Sequence, residues 1–223
     1  ITTEEATFLI EPYVSKPYTY TIPKETKFVI VGEYGDYYKV RFSKTKTLWV
    51  EKTKVKVLPE GTPLPKTVIY GTTVSSEAVN NRTKIFFNVS DRPLFVVEES
   101  FSPAALELIF SNTILDTGWL TEFVDQKNIR CVRFSYPEEN IIKLTAYLSD
   151  EEPWGYDVYY EDKGGVTRLV LEIKHRPKLN KIPNLPLEGL TVFIDPGHGG
   201  EEKGALGPTG LEEKEVNLDM SLA

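Results

Sequence analysis

Cysteine is almost absent. Cys131 is the only one in 223 residues, which excludes an intramolecular disulfide and any cysteine-rich zinc framework. Histidine is nearly as scarce, with only His175 and His198, so each must be weighed as a metal ligand. Positive charge is in deficit: 26 Lys and Arg stand against 33 Asp and Glu, a formal net charge of −7. That balance gives no basic stripe for a nucleic-acid partner. No apolar run approaches the ~20 residues of a transmembrane helix. The chain lacks an initiator Met and a basic-then-apolar leader, so Ile1 reads as a processed or cropped start. The missing leader therefore does not argue for the cytoplasm.

What is present is apolar and aromatic. Hydrophobic residues make up 40% and charged ones 26%, the balance of an ordinary globular protein. The length allows one large domain or two to three small ones. Twelve Tyr, eleven Phe and 15 Pro beside a single Met predict many short strands rather than a helical bundle.

Residues 1–60 are expected to form a small all-β unit. Lys27–Val31 and Tyr37–Phe42 read as strands around the turn Gly32–Asp36, followed by Leu48–Val50 and the alternating Lys54–Val57. Short strands at close spacing suit a small barrel. Tyr18, Tyr20, Tyr34, Tyr37, Tyr38 and Trp49 are either its core or a binding groove, with Tyr34, Tyr37, Tyr38 and Trp49 the candidate groove residues. Pro59–Pro65, with three Pro and a Gly, reads as a linker.

Residues 67–177 predict a β-sandwich. Its strands are Thr83–Val89, Ala105–Phe110, Ile129–Phe134, Ile141–Leu148, Tyr156–Tyr160 and Val166–Ile173, with a hairpin signal at Glu161–Gly165. In the last strand Leu169, Leu171 and Ile173 alternate with Arg168, Val170 and Glu172, one face buried and one wet. Ser102-Pro103-Ala104 has the form of a helical first turn. His175 lies between Lys174 and Arg176, which repel a cation, so a structural role is expected for it. A second linker spans 178–188.

From residue 189 the pattern changes. Leu190–Ile194 is an apolar, β-branched run and is predicted to be a buried strand. It ends at Asp195-Pro196-Gly197-His198-Gly199-Gly200, the kind of loop in which open α/β sheets place ligands. Glu213 follows the Gly207–Gly210 turn and opens a helix-like run whose Val216, Met220 and Ala223 are spaced to cover a sheet. His198 and Glu213 are candidate metal ligands. Asp195 is a candidate orienting acceptor, and Gly197, Gly199 and Gly200 are glycines that leave room around the imidazole. Glu201, Glu202, Glu212 and Glu215 read as a solvated face, with Glu212 the alternative to Glu213. No G-x-x-x-x-G-K-[ST] is present, and Glu202 occupies the third Gly position of a dinucleotide fingerprint.

Three resemblances attach to these stretches. Pro23–Val55 resembles bacterial SH3-like domains, with Glu25 where Gly is common, Tyr37 in place of Trp, and Leu48 in place of the Gly before Trp49. In many relatives such a module binds cell-wall peptide. In strand order and position, residues 67–177 look like the AMIN-type domains that precede amidase domains. Val192–Leu218 is very similar to the start of zinc-dependent N-acetylmuramoyl-L-alanine amidases of the amidase-3 type: a strand, DPGHGG, an acidic position, GA-x-G, then G-x-x-E-K. That resemblance implies a cell-wall hydrolase that cleaves the amide between N-acetylmuramic acid and L-alanine by zinc-activated water. It makes His198 and Glu213 the first two zinc ligands, the remaining ligand and the catalytic residues being expected downstream of Ala223. On this reading the 223-residue chain is inactive alone and belongs to the cell envelope, periplasmic or extracellular. Its substrate is peptidoglycan, with cell-division or envelope proteins as further partners. The rival expectation is a non-catalytic wall- or partner-binding module. The expected fold is mainly β: an SH3-like barrel (1–60), an AMIN-like sandwich (67–177), and the first strand and helix of an α/β amidase domain (189–223).

Overall fold

A computed structural model describes residues 1–13, 19–77, 81–116, 128–149, 153–177, 182 and 187–223. Tyr18 and most of the second linker lie outside the described residues. The chain divides into two compact units, Ile1–Pro177 and Lys178–Ala223.

The first unit is all β. Strands β1 (Ala6–Leu9), β2 (Thr19–Ile22), β3 (Val29–Tyr34), β4 (Tyr37–Arg41) and β5 (Thr47–Glu51) form a sheet in the order β2-β1-β5-β4-β3. A sandwich follows. One sheet is β10 (Thr113–Leu115), β6 (Thr67–Glu77), β7 (Arg82–Val89), β14 (Val166–Lys174) and β13 (Tyr156–Lys163). The other is β11 (Ile129–Glu138), β12 (Ile141–Leu148), β9 (Ala104–Phe110) and β8 (Phe95–Phe101). The architecture is mainly β with one final helix, α1 (Glu213–Leu222).

Alternation along β8 organises the unit. Phe95 is buried in the sandwich core with Phe87, Leu108, Phe110, Leu144 and Leu171, and Val97 packs against it. Val96 points the other way and joins Leu94 in a second core with Phe8, Val40, Leu48 and Val50 of the first sheet. Its cross-strand neighbour Ile109 packs on that second core too. The four-stranded sheet is therefore the middle of three layers at this end. The first sheet is not closed into a barrel: β2 and β3 are its edges, and Leu94 and Val96 cover the apolar face that closure would otherwise shield.

Polar contacts fasten the same junction. Lys27 meets Asp91 at 2.7 Å, Lys46 meets Glu98 at 3.1 Å, and Ser43 donates to Glu138 at 2.9 Å. The buried hydroxyl of Ser111 donates to the Phe42 carbonyl.

Several local expectations change. Gly32, Glu33 and Tyr34 belong to β3, so the turn is Gly35-Asp36 alone. Lys54–Val57 is not a strand. A 3-10 turn at Lys52–Lys54 precedes a single bridge from Val55 to Thr2, because no neighbouring strand extends that far. Ser102-Pro103 forms the tight β8–β9 hairpin turn with a cis peptide bond, and Phe101 pairs with Ala104 across it. The Glu161–Gly165 signal narrows to Gly164-Gly165. Both have positive φ (60° and 78°), the requirement of a two-residue type I′ turn.

Leu169, Leu171 and Ile173 face the core, but the opposite side of β14 is not wet: Val170 and Glu172 are buried as well. Neighbouring strands lean their long side chains over it. The Glu172 carboxylate is paired with Arg82, lies 3.4 Å from Lys84, and accepts the Tyr159 hydroxyl at 3.1 Å. Burial pushes this carboxyl up, but the Arg82 hydrogen bond, Tyr159 and Lys84 outweigh it and hold it below the usual glutamate range. A depressed folded-state pKa gives stability that is present above the unfolded-state value and lost as pH falls through the folded-state value. Glu172→Gln is expected to remove part of the acid-side slope of stability below about pH 4.5, as read by urea titration at stepped pH.

Candidate metal centre

The second unit is built around one loop and one helix. Leu190–Ile194, expected as a buried strand, pairs with no strand among the described residues, and Phe193 is 92% exposed. An apolar run makes a ladder only where a neighbour offers its backbone groups, and none is described here. Val216 and Met220 of α1 are exposed for the same reason.

The loop itself is well held. Gly199 and Glu202 exchange both backbone hydrogen bonds, at 3.0 and 2.9 Å. The incoming chain then pairs with the start of α1: Glu213 N–H donates to Ala205 C=O at 2.9 Å, and Lys214 N–H to Lys203 C=O at 3.2 Å. These bonds satisfy donors that a helix start leaves unpaired. They also bring the first helical residue opposite the loop.

The result is a juxtaposition. His198 Nε2 lies 3.4 Å from Glu213 Oε2, with both side chains about two-fifths exposed. Glu213 Oε2 also accepts the Ala205 N–H at 2.7 Å, which fixes the carboxylate from behind. His198 has φ 66°, a left-handed conformation that histidine adopts more readily than most side chains. An imidazole nitrogen and a carboxylate oxygen at the mouth of a loop form a donor set suited to a divalent metal. A negative side chain in the first helical turn also meets the positive end of the helix dipole.

The structure separates Glu213 from its neighbour. Glu212 is ion-paired with Lys203 and lies 3.0 Å from Lys214, and the Lys203 contact, followed by that of Lys214, holds its carboxyl below the usual range. Asp195 is exposed and makes no hydrogen bond to His198 among the described residues. Gly199 and Gly200 have open space where a Cβ would stand, and Gly197 has only Asn217 nearby.

Three residues to which the sequence alone assigns no role complete the framework. Gly204 (φ 69°) lies against the pair, and a Cβ there would stand 2.6 Å from Glu213 Oε2 and 2.7 Å from His198 Cδ2. Asn217 donates to the Gly197 carbonyl at 2.9 Å, and Lys214 to the Gly200 carbonyl at 2.9 Å. The available signal was spacing: Asn217 lies four residues after Glu213, on the same helical face. No group of three or more His, Cys, Asp or Glu that could hold a metal is found among the described residues.

His175 belongs to the first unit, half-buried just after β14, with Nε2 2.8 Å from Thr83 Oγ1. Burial pushes its pKa down. The aromatic candidates also divide. Tyr20 and Tyr38 pack on the first sheet's core. Tyr34 and Tyr37 form an edge-to-face cluster with Tyr13 at 5.7 and 5.1 Å, and Tyr34 is exposed. Trp49 is half-buried beneath the Lys39 ammonium.

Residues 192–223 match the family described as N-acetylmuramoyl-L-alanine amidase. The N-acetylmuramoyl-L-alanine amidase LytC of Bacillus subtilis (strain 168) is 57% identical over 42 residues, 19% of this chain and 8% of that protein. YqiI of the same organism, an uncharacterized protein, is 61% identical over 36 residues, 16% of this chain and 17% of its own length. A putative N-acetylmuramoyl-L-alanine amidase of Buchnera aphidicola subsp. Acyrthosiphon pisum (strain APS) is 48% identical over 33 residues, 15% and 14% respectively. The chain thus spans less than a fifth of each relative's length.

Proposed function

We propose that residues 192–223 are the opening part of a zinc-dependent amidase module that hydrolyses the bond between N-acetylmuramic acid and L-alanine in peptidoglycan. The observation that carries this reading is the His198–Glu213 pair, 3.4 Å apart, inside the segment that matches the family of such enzymes. His198 and Glu213 would hold the ion through Nε2 and Oε2. When bound, zinc supplies Lewis acidity toward the amide carbonyl and makes water acidic near neutral pH.

This chain's own residues do the positioning. Ala205 N–H fixes the carboxylate, Asn217 and Lys214 tie down the loop on both sides of His198, and Gly204 leaves the space in which the two donors meet. A catalytic zinc takes three protein ligands. With the two found among the described residues, the chain would hold the ion weakly and exchangeably and would be inactive by itself. The β unit, as an SH3-like module (1–60) and an AMIN-like sandwich (67–177), would place the enzyme on its wall substrate in the cell envelope. No helix among the described residues is long and apolar enough to cross a membrane.

The test is transplantation. Residues 192–223 are grafted in place of the matching segment of the Bacillus subtilis amidase LytC, and release of new L-alanine amino termini from peptidoglycan is measured. Zinc-dependent hydrolysis by the graft is expected, and none from the 223-residue chain alone. An inert but folded graft would sink the proposal. A second reading, a wall-binding module without catalysis, is favoured by the Tyr13–Tyr34–Tyr37 cluster, in which Tyr13 and Tyr34 are exposed. It predicts that the chain sediments with purified peptidoglycan and that Tyr34→Ala with Tyr37→Ala releases it.

A further inference from the structure

His198 stands in the left-handed region, at φ 66°, which costs a residue that carries a Cβ. Such a conformation persists only where its surroundings over-determine it. Two rigid peptide planes flank the His198 Cα, and each is pinned by a different partner. The plane that follows is pinned within the loop, where Gly199 N–H donates to the Glu202 carbonyl at 3.0 Å. The plane that precedes is pinned from α1, where the Asn217 amide donates to the Gly197 carbonyl at 2.9 Å.

That second pin comes from the helix that also presents Glu213. The half-buried residues of α1 are Glu213, Lys214, Asn217 and Ser221, whereas Val216, Leu218, Met220 and Leu222 are all exposed. Hydrogen bonds rather than apolar packing therefore hold this helix against the loop. Glu213 and Asn217 are four residues apart, neighbours on one helical face. Lys214 also reaches the loop, 2.9 Å from the Gly200 carbonyl, but its ammonium is shared with Glu212 at 3.0 Å and rides on a flexible stem. The Asn217 amide is planar, on a short stem, and grips the very peptide group that contains the His198 nitrogen. One turn of α1 thus carries a candidate ligand at one end and the hold on the other ligand at the other.

We propose that Asn217 is a positioning residue of the metal centre: its amide fixes the peptide plane before His198 and so sets the imidazole against Glu213, without touching the ion. This role rests on the reading of His198 and Glu213 as zinc ligands. Without the bond the preceding plane is free to turn, His198 relaxes out of the left-handed region, and its Nε2 moves away from Glu213 Oε2.

The test is a zinc titration of the isotope-labelled 223-residue chain, followed by nuclear magnetic resonance. Asn217→Leu keeps the size of the side chain and removes the donor. Zinc affinity is expected to fall about 10–100-fold, the range for groups that orient a metal ligand. Before zinc is added, the His198 Cα and Cβ shifts should already leave their left-handed values, while the Cα shifts of Leu218–Leu222 stay helical. Ser221→Ala removes a bond to the Asn217 carbonyl within the helix and should bind zinc as the unaltered chain does. In the unaltered chain zinc should slow exchange of the Asn217 side-chain amide protons, because the coupling is reciprocal. This last readout needs no variant, so it holds even where Asn217→Leu loses its helix. Unchanged zinc affinity or unchanged His198 shifts in Asn217→Leu would overturn the role, as would amide exchange indifferent to zinc. Loss of zinc by His198→Ala but not by Asn217→Leu would remove the positioning role and leave the zinc reading standing. Zinc retained by both variants would remove both.

Discussion

Gly204→Ala is expected to cost as much zinc affinity as deleting His198 itself, although it removes no donor atom. The added methyl would stand 2.6 Å from Glu213 Oε2, 2.7 Å from His198 Cδ2 and 2.8 Å from Glu213 Cβ, closer than Cβ atoms are found to any neighbour. None of these is the free end of a long chain that can swing away, because Oε2 is held by the Ala205 N–H. The backbone adds a penalty, since φ 69° costs a residue with a Cβ about 1 kcal/mol. The two donors must part or the Gly204 backbone must shift, and either separates the pair. Residues that only orient a ligand typically cost about 10–100-fold in metal affinity, so loss of the pair should reach the top of that range or exceed it. Zinc titration followed by the His198 ring resonances reads this directly, even for weak and exchangeable binding. His198→Ala and Glu213→Gln give the reference loss. Gly199→Ala, with open space at its Cβ position, should bind as the unaltered chain does. If Gly204→Ala binds zinc normally, the His198–Glu213 pair is not the site.

The same residues show what a linear reading could reach. The two candidate ligands are legible because each has a local marker: Pro and Gly around His198, and the Gly210-x-x-Glu213-Lys214 pattern at the start of a helix. Gly204 is not, since its role arises only when the loop folds back onto α1 and places its Cα against two side chains distant in sequence. Alternation located β7, β12 and β14, but it passed over β8. Leu94-Phe95-Val96-Val97 shows no apolar–polar period, because both faces of that strand are covered, one by the sandwich core and one by the first sheet. Leu190–Ile194 erred in the opposite direction: its composition is that of a buried strand, but a ladder is a property of two segments. The tight Glu172 cluster was likewise invisible, since Arg82, Lys84 and Tyr159 come from two other strands.

Leu94→Ala should destabilise the first sheet although Leu94 lies outside it in sequence. Were residues 1–60 and 67–177 independent modules, trimming a residue at the entrance to β8 would leave the first module's unfolding untouched. Leu94 is 2% exposed and sits among Phe8, Ile22, Val40, Leu48 and Val50, with Val96 beside it. Truncating a buried leucine costs about 2–5 kcal/mol when the surroundings cannot collapse into the space. Collapse is opposed here by the polar fastenings at the same seam, Lys27–Asp91, Lys46–Glu98 and Ser111 to the Phe42 carbonyl. With Trp119 and Trp154 replaced by Phe, the emission of Trp49, on β5 of the first sheet, reports that sheet's unfolding, and far-ultraviolet circular dichroism weights the sandwich. In urea the chain otherwise unaltered should give coincident transitions by both probes, the mark of one cooperative unit. In Leu94→Ala both midpoints should fall together, while Phe8→Ala, in the same core from the other side, should lower both by a comparable or larger amount. A drop in the Trp49 transition alone would mean that the sheets unfold separately and that the shared core is only a contact surface.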